Sequence, residues 1–347
     1  MSNKWYCGVL VLLVLWISAC SDKEELPLED TRQKSITLLT SVGGNGDNGY
    51  NDLILSGAYN FYKENEVRFS LLHPTDLTEA QQQLDTWVKQ TADGPSDAIL
   101  LMASNDYKSL LTRSITLSAH QRIVVFECTH DGLPERVSSF RIGRYGASYL
   151  AGCLARESGE AHIVAAMAND DLLKDAIDGF VDGYQQAGGK KAVTHYLATD
   201  AQGYYVPNEA YRLLQSLNEE SFVFPLAGGS NSGIYKFSRE NPFLLLLISG
   251  MDVDCSEYST RIPFSLVIGI DQIVQSLLQE WYVDGELPAH KDYTLSSENA
   301  IDLLINQTFW DRIWVWQDYY EDASYWKNGY EHYKDEAINK EKAYYAR

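Results

Sequence analysis

Short apolar runs alternating with amphipathic segments constrain this chain more tightly than any other feature of its sequence. Ile36-Thr37-Leu38-Leu39-Thr40 is a strand-like run, broken by Gly43 to Gly49. Leu53, Ile54, Gly57, Ala58 and Phe61 then fall at helical spacing. Val67 to Leu72 reads as a strand, Leu77 to Ala92 as a helix, and Ala98 to Met102 and Ile123 to Phe126 as buried strands. Strands that are apolar throughout, with helices between them, belong to a parallel sheet covered on both faces. The alternation restarts after Arg144. Tyr145 to Arg156, Leu172 to Gln186 and Asn208 to Leu217 read as helices. Ala161 to Ala166, Val193 to Leu197, Phe222 to Leu226 and Leu244 to Ile248 read as strands, and Leu266 to Ile268 with the helix Gln272 to Val283 returns the chain to a sheet. The expectation is an α/β protein: two doubly wound parallel-sheet lobes joined by a hinge, with one cleft between them. The first lobe would take 35–142 plus about 252–290, and the second 143–251 plus about 291–347. Ligands of such sheets sit beyond the carboxyl ends of the strands, which directs attention to the loops there.

A length of 347 residues suits two such lobes. The 48 acidic against 28 basic side chains, a net charge of −20, argue against nucleic acid and against a polybasic grip on lipid. Membrane attachment is expected from the start of the chain instead. Lys4 precedes the apolar Trp5 to Leu15, a run too short to span comfortably, so residues 1–19 read as a signal peptide. Ile17-Ser18-Ala19-Cys20 resembles the bacterial lipobox, which implies cleavage before Cys20 and a lipid on it. An ordinary secretory signal with an incidental cysteine is the alternative. Residues 20–34 form a polar tether. Its Lys23-Glu24-Glu25 is similar to the surface-export signal of Bacteroidetes lipoproteins, or is a plain solvated linker. The expected location is the bacterial envelope, lipid-anchored at the outer membrane and facing the periplasm or the surface. Cys128, Cys153 and Cys255 fit neither a disulfide framework nor a metal site and read as buried thiols, with one bridge plus one free thiol left open.

The loop after the first strand, Val42-Gly43-Gly44-Asn45-Gly46-Asp47-Asn48-Gly49-Tyr50-Asn51, carries the densest signal. Glycines there let backbone approach a ligand, and the helix behind offers free N–H groups. The Gly-Lys-Ser/Thr of a phosphate loop is missing, and Gly44, Gly46 and Gly49 fit a dinucleotide frame only weakly. A neutral, hydroxyl-rich ligand fits better. Asp47 would accept its hydroxyls and Tyr50 offer a stacking face, unless Asp47 only caps the helix. An enzyme finds less support. There is no Gly-x-Ser-x-Gly elbow, and no two of the seven His stand at His-x-x-x-His spacing. His130 with Asp131 is the best acid–base candidate, and Asp47 with Glu127 would be a glycosidase-like carboxylate pair.

Six motifs in order resemble the basic membrane protein family, which includes purine-nucleoside-binding lipoproteins of ABC importers. Asp47-Asn48-Gly49-Tyr50-Asn51 resembles its Asp-x-Ser-Phe-Asn loop, and Val124-Val125-Phe126-Glu127 its fourth strand. Ser148-Tyr149-Leu150-Ala151-Gly152 is similar to its Ala-Tyr-Leu-Ala-Gly helix, and Asp178 to Gly183 to its Gly-Phe-x-x-Gly helix. Ala227 to Gly233 resembles its glycine-rich loop, and Gly250 to Asp254 its Gly-Val-Asp-x-Asp. The likeness runs from about Ile36 to Asp284. It implies a type I periplasmic-binding-protein fold with three crossovers and a nucleoside-like ligand closed between the lobes. Carried over by position, it implies that Asp47, Tyr50 and Asn51 line one wall, that Glu127 and Asp252 hold ribose-type hydroxyls, and that Ser104 and Asn105 sit at the same rim. Asn169 and Ser230 would face them from the second lobe. The sequence departs from the family at Ile268, where a Lys is usual, and at Ala176, where a ring is usual. It also has Tyr50 for Phe and Glu127 for Asp.

The expected function is therefore a lipid-anchored solute-binding protein, not an enzyme, that captures a nucleoside or similar hydroxylated molecule for uptake. It would need no cofactor or metal and would have a membrane transporter as partner. A ligand-sensing partner of a membrane sensor is the first alternative, and a hydrolase of glycosides or nucleosides the second. The aromatic tail from Phe309, with Trp310, Trp314, Trp316, Tyr319, Tyr320, Tyr325, Trp326, Tyr330, Tyr333, Tyr344 and Tyr345, reads as rings packed on the lobes. A partner-binding or sugar-stacking surface is its alternative.

Overall fold

The computed structural model describes residues 34–112, 115–155, 159–218, 220–311 and 324–346. The signal segment, Cys20 and the tether up to Gln33 lie outside these residues, as do Trp314, Trp316, Tyr319 and Tyr320 of the tail.

The first sheet is built from β1 (Lys34–Leu39), β2 (Val67–Leu72), β3 (Ala98–Met102), β4 (Gln121–Phe126) and β5 (Val137–Ile142), with β12 (His290–Tyr293) at its edge. Its order is β12-β5-β4-β3-β1-β2, and every pairing is parallel. The chain leaves β1 for β2 on one side and returns to β3 on the other, so the topology switches beside β1. Helices α1 (Tyr50–Glu64), α2 (Leu77–Thr91) and the short α3 (Lys108–Leu111) connect these strands. The middle strands are apolar because both faces are covered: Ile99, Leu100, Leu101, Ile123, Val124 and Val125 are all fully buried. β5 does not stand out in the sequence, because Ser138, Ser139 and Arg141 interrupt its apolar pattern.

After Ile142 the chain crosses into α4 (Tyr145–Leu154) and the second sheet. There β6 (Glu160–Ala165), β7 (Ala192–Tyr196), β8 (Ser221–Leu226) and β9 (Leu247–Ile248) run parallel in the order β7-β6-β8-β9. Helices α5 (Asp171–Gln186), α6 (Pro207–Leu214) and α7 (Asn231–Glu240) connect them. One residue past β9, β10 (Gly250–Asp252) pairs with β11 (Phe264–Ile268), and β11 pairs antiparallel with β13 (Ile301–Ile305). The chain returns to the first sheet through α8 (Ile270–Asp284), which packs on α1. A boundary near 252 therefore does not coincide with this return, because β11 stays with β10 and β13. The short α9 (Gln307–Asp311) and the long α10 (Ser324–Tyr345) complete the described chain.

Two of the motif helices owe their glycines to packing. A Cβ on Gly152 would lie 2.2 Å from the Phe180 carbonyl oxygen, and one on Gly183 would lie 1.9 Å from that of Tyr149. Both distances are far inside contact range, so α4 and α5 meet backbone to backbone only without those side chains. The described rings of the tail also pack inward. Tyr344 stacks on Tyr145 at 4.2 Å between centroids, and Tyr330 donates to Asp302. Glu341 of α10, fully buried, accepts from the backbone N–H of Gly146 and of Leu295, next to two of the crossovers. Cys128, Cys153 and Cys255 are buried, and among the described residues none of them forms a disulfide. Among the described residues, no helix is long and apolar enough to cross a membrane.

Candidate functional site

Three acidic side chains converge where β1, β4 and β10 end. Two of them sit on strained backbone: Glu127, directly after β4, has φ +59°, and Asp252, the last residue of β10, has φ +67°. The left-handed region disfavours non-glycine residues, and such strain concentrates at functional sites. What separates the three acids is how many of their acceptor positions are occupied. A carboxylate offers about four lone-pair sites.

Asp47 fills all of its own. Its Oδ1 accepts from the N–H of Gly49 (2.9 Å) and Asp52 (3.3 Å), and its Oδ2 from Asn51 N (3.1 Å) and Asn51 Nδ2 (2.8 Å). The orphan N–H groups at the start of α1 take this carboxylate as their cap. Asn51 in turn accepts from Ser41 Oγ at 3.1 Å, so it fastens the loop and does not reach out to a ligand.

Glu127 is equally occupied. Tyr50 donates its hydroxyl to Oε1 at 2.6 Å, and Arg144 grips both oxygens at 2.8 and 3.2 Å. The N–H of Ile142 donates to Oε2 at 3.1 Å. Glu127 is buried and Arg144 partly so, and the guanidinium lies 5.8 Å from the Tyr50 ring centroid. Burial and the Glu127 charge hold the Tyr50 hydroxyl well above its ordinary range. Arg144 stands at the first crossover, so this cluster ties the strand end to the hinge. It was not anticipated from sequence, where nothing marks Arg144 as the partner of an acid 17 residues earlier.

Asp252 is the exception. Among the described residues its carboxylate makes no hydrogen bond or close ion pair. Burial raises its pKa to about 6; Arg144 pulls the other way, and Asp47 and Glu127 add to the rise. It forms part of the wall of a cavity of about 310 Å³, together with Asp47, Gly228, Asn231, Tyr235 and Arg239. The first-lobe loop, the loop and helix after β8, and the hinge strand all contribute to this wall. Asn231 accepts from Ala227 N through Oδ1 at 3.1 Å, which leaves its amide NH₂ without a partner among the described residues. Tyr235 and Tyr258 pack at 5.5 Å between centroids in the same wall and offer an aromatic surface.

The remaining expected residues lie elsewhere. Ser104 accepts from Asp106 N at 3.3 Å and starts the turn at Asn105; neither lines the cavity. Asn169 is exposed in the loop after β6, outside the wall. Ser230 is fully buried, accepting from Val206 N at 2.7 Å and donating to Gly203 O at 2.8 Å. It fastens two turns together. His130, the acid–base candidate, is also outside the wall. The cavity residues missed from sequence are Asn231, Tyr235, Arg239 and Tyr258. The first three stand at i, i+4, i+8, one face of α7, and that spacing was the available signal. Across the cleft Tyr205 reaches over Gly43, whose absent Cβ would lie 1.5 Å from the Tyr205 hydroxyl.

No protein-family model matches the chain, and no curated protein matches it significantly. Solved structures do. An ABC transporter system solute-binding protein from Aeropyrum pernix superposes with a TM-score of 0.72 at 16% identity, covering 89% of this chain and 92% of that one. A transcriptional activator of the comK gene from Bacillus halodurans gives 0.63 at 15% identity, over 85% and 98%. An ABC transporter solute-binding protein from Burkholderia graminis, solved in complex with D-arabinose, gives 0.58 at 13% identity, over 80% and 97%. Similarity at these identities speaks for architecture alone, and with the two switch-point sheets and the crossovers between them it establishes the two-lobed type I periplasmic-binding-protein fold for this chain.

Proposed function

We propose that this chain is a solute-binding protein that captures a hydroxylated small molecule, a sugar or a nucleoside, between its lobes for delivery to a membrane transporter. The observation that carries this reading is the Asp252 carboxylate. It is held in left-handed backbone at the cleft, and its acceptor sites are open while those of its two acidic neighbours are filled. Hydroxyl donors of a ligand would complete it, each bond to a carboxylate adding about 1.5–3 kcal/mol. The Asn231 amide supplies a donor and the Tyr235–Tyr258 pair a face for a ring. Arabinose in the Burkholderia graminis protein makes sugars natural first probes.

Purine nucleosides rest on the motif resemblance. Two of the four family positions that differ here, Ala176 and Ile268, are buried in the core. Base stacking would therefore fall to Tyr235 and Tyr258. A hydrolase is disfavoured because Asp47 and Glu127 have no acceptor site to offer a water or a glycosidic oxygen. The lipid anchor at Cys20 and an envelope location belong to this same reading.

The test is calorimetric titration of pentoses, hexoses and nucleosides, with Asp252→Ala and Tyr50→Ala as controls. Binding that survives both substitutions unchanged, in folded protein, refutes the site.

A further inference from the structure

The cavity has a second polar end. Asn231, Tyr235 and Arg239 occupy one face of α7, and eight residues of helix rise about 12 Å, so the wall runs from the acidic hinge to a cation. Arg239 is the only cationic side chain in that wall among the described residues. Its guanidinium is exposed and makes one long contact, 3.5 Å, to the Tyr258 carbonyl oxygen, with no ion pair to any described acid. The other charges nearby are committed: Lys236 pairs with Glu240, which also accepts from the Tyr211 hydroxyl.

The position of Arg239 in the last turn suits the helix dipole whichever way it points. What the dipole does not explain is its register with Asn231 and Tyr235 along the cavity. An unpaired arginine in a chain of net charge −20, with 48 acids to choose from, is also unexplained by structural pairing.

Resting on the cleft reading above, we propose that Arg239 selects a ligand carrying a carboxylate at the end opposite the hydroxyls that meet Asp252, a sugar acid or the corresponding nucleoside acid. A guanidinium binds a carboxylate through two parallel N–H donors, which fixes orientation as well as charge. A single cation and an acidic surround favour a monoanion over a dianionic phosphate.

The experiment is calorimetric titration of the protein at low ionic strength with matched pairs: galactose and galacturonate, lactose and lactobionate, adenosine and adenosine 5′-carboxylate. Galactose 6-phosphate is added as a phosphate arm. In at least one pair the acid binds tenfold or more tightly than its neutral partner. In Arg239→Gln that preference disappears, acid and neutral members then binding alike, and in Arg239→Lys it is partly restored. Equal binding of acid and neutral forms, a preference that survives Arg239→Gln, or tighter binding of the phosphate overturns the carboxylate assignment and leaves the cleft reading standing. Binding of no member of any pair overturns both.

Discussion

Replacing Asp252 by Asn removes one negative charge from the cleft and little volume. The native carboxyl has its pKa raised to about 6, with burial as the main cause. An Asp in the unfolded chain titrates near 3.9. The folded state therefore binds this proton more tightly, and stability is lost as pH climbs from about 4 through 6. A rise from about 3.9 to about 6 corresponds to about 3 kcal/mol of lost stability above pH 6. Asp252→Asn abolishes this penalty, so the variant should be more stable than the parent by about 2–3 kcal/mol at pH 7.5 and equal to it at pH 4. Urea denaturation at both pH values reads this directly. Ligand binding should move the other way, weakening by about 1.5–3 kcal/mol per charged hydrogen bond lost. A variant no more stable than the parent at pH 7.5, or one stabilised equally at both pH values, would refute the claim that an uncompensated carboxylate is held in the cleft.

Other outcomes follow from the same geometry. Arg144→Leu strands the buried Glu127 and should cost about 3–5 kcal/mol in urea denaturation, with Glu127→Gln in the same chain recovering part of the loss. Gly43→Ala places a Cβ on the Tyr205 hydroxyl and should weaken ligand affinity at least tenfold, whereas Tyr205→Ala in the same chain should restore it; an additive pair in the double-mutant cycle contradicts the contact. Cys20→Ser should abolish incorporation of labelled fatty acid in a bacterial host; continued labelling places the lipid elsewhere.

Much of the architecture was legible because buried parallel strands are apolar from end to end. β3, β4 and β8 could be read from Ala98 to Met102, Ile123 to Phe126 and Phe222 to Leu226 without knowing their neighbours. β5, β12 and β13 were not, since each has a polar or charged residue within it and is defined by its partners. The candidate site was legible as a set of loops, since strand ends at a topological switch are where ligands of such sheets sit. Which acid remains open to a ligand was not. Asp47 is closed by the amides of its own helix, a local capping preference that could be foreseen as an alternative. Glu127 is closed by Arg144 and Tyr50, brought together only by the fold. Gly152 and Gly183 carried motif signal, but the structure explains them as helix–helix contact.

The most direct test of the account is a crystal structure of the protein with the tightest ligand from the titrations. It should show a ligand hydroxyl donating to an Asp252 carboxylate oxygen at about 2.7 Å, with the Glu127–Arg144 pair intact behind it. A ligand seated away from the loop after β1 and the hinge strand, or one that meets Glu127 in place of Asp252, would contradict it.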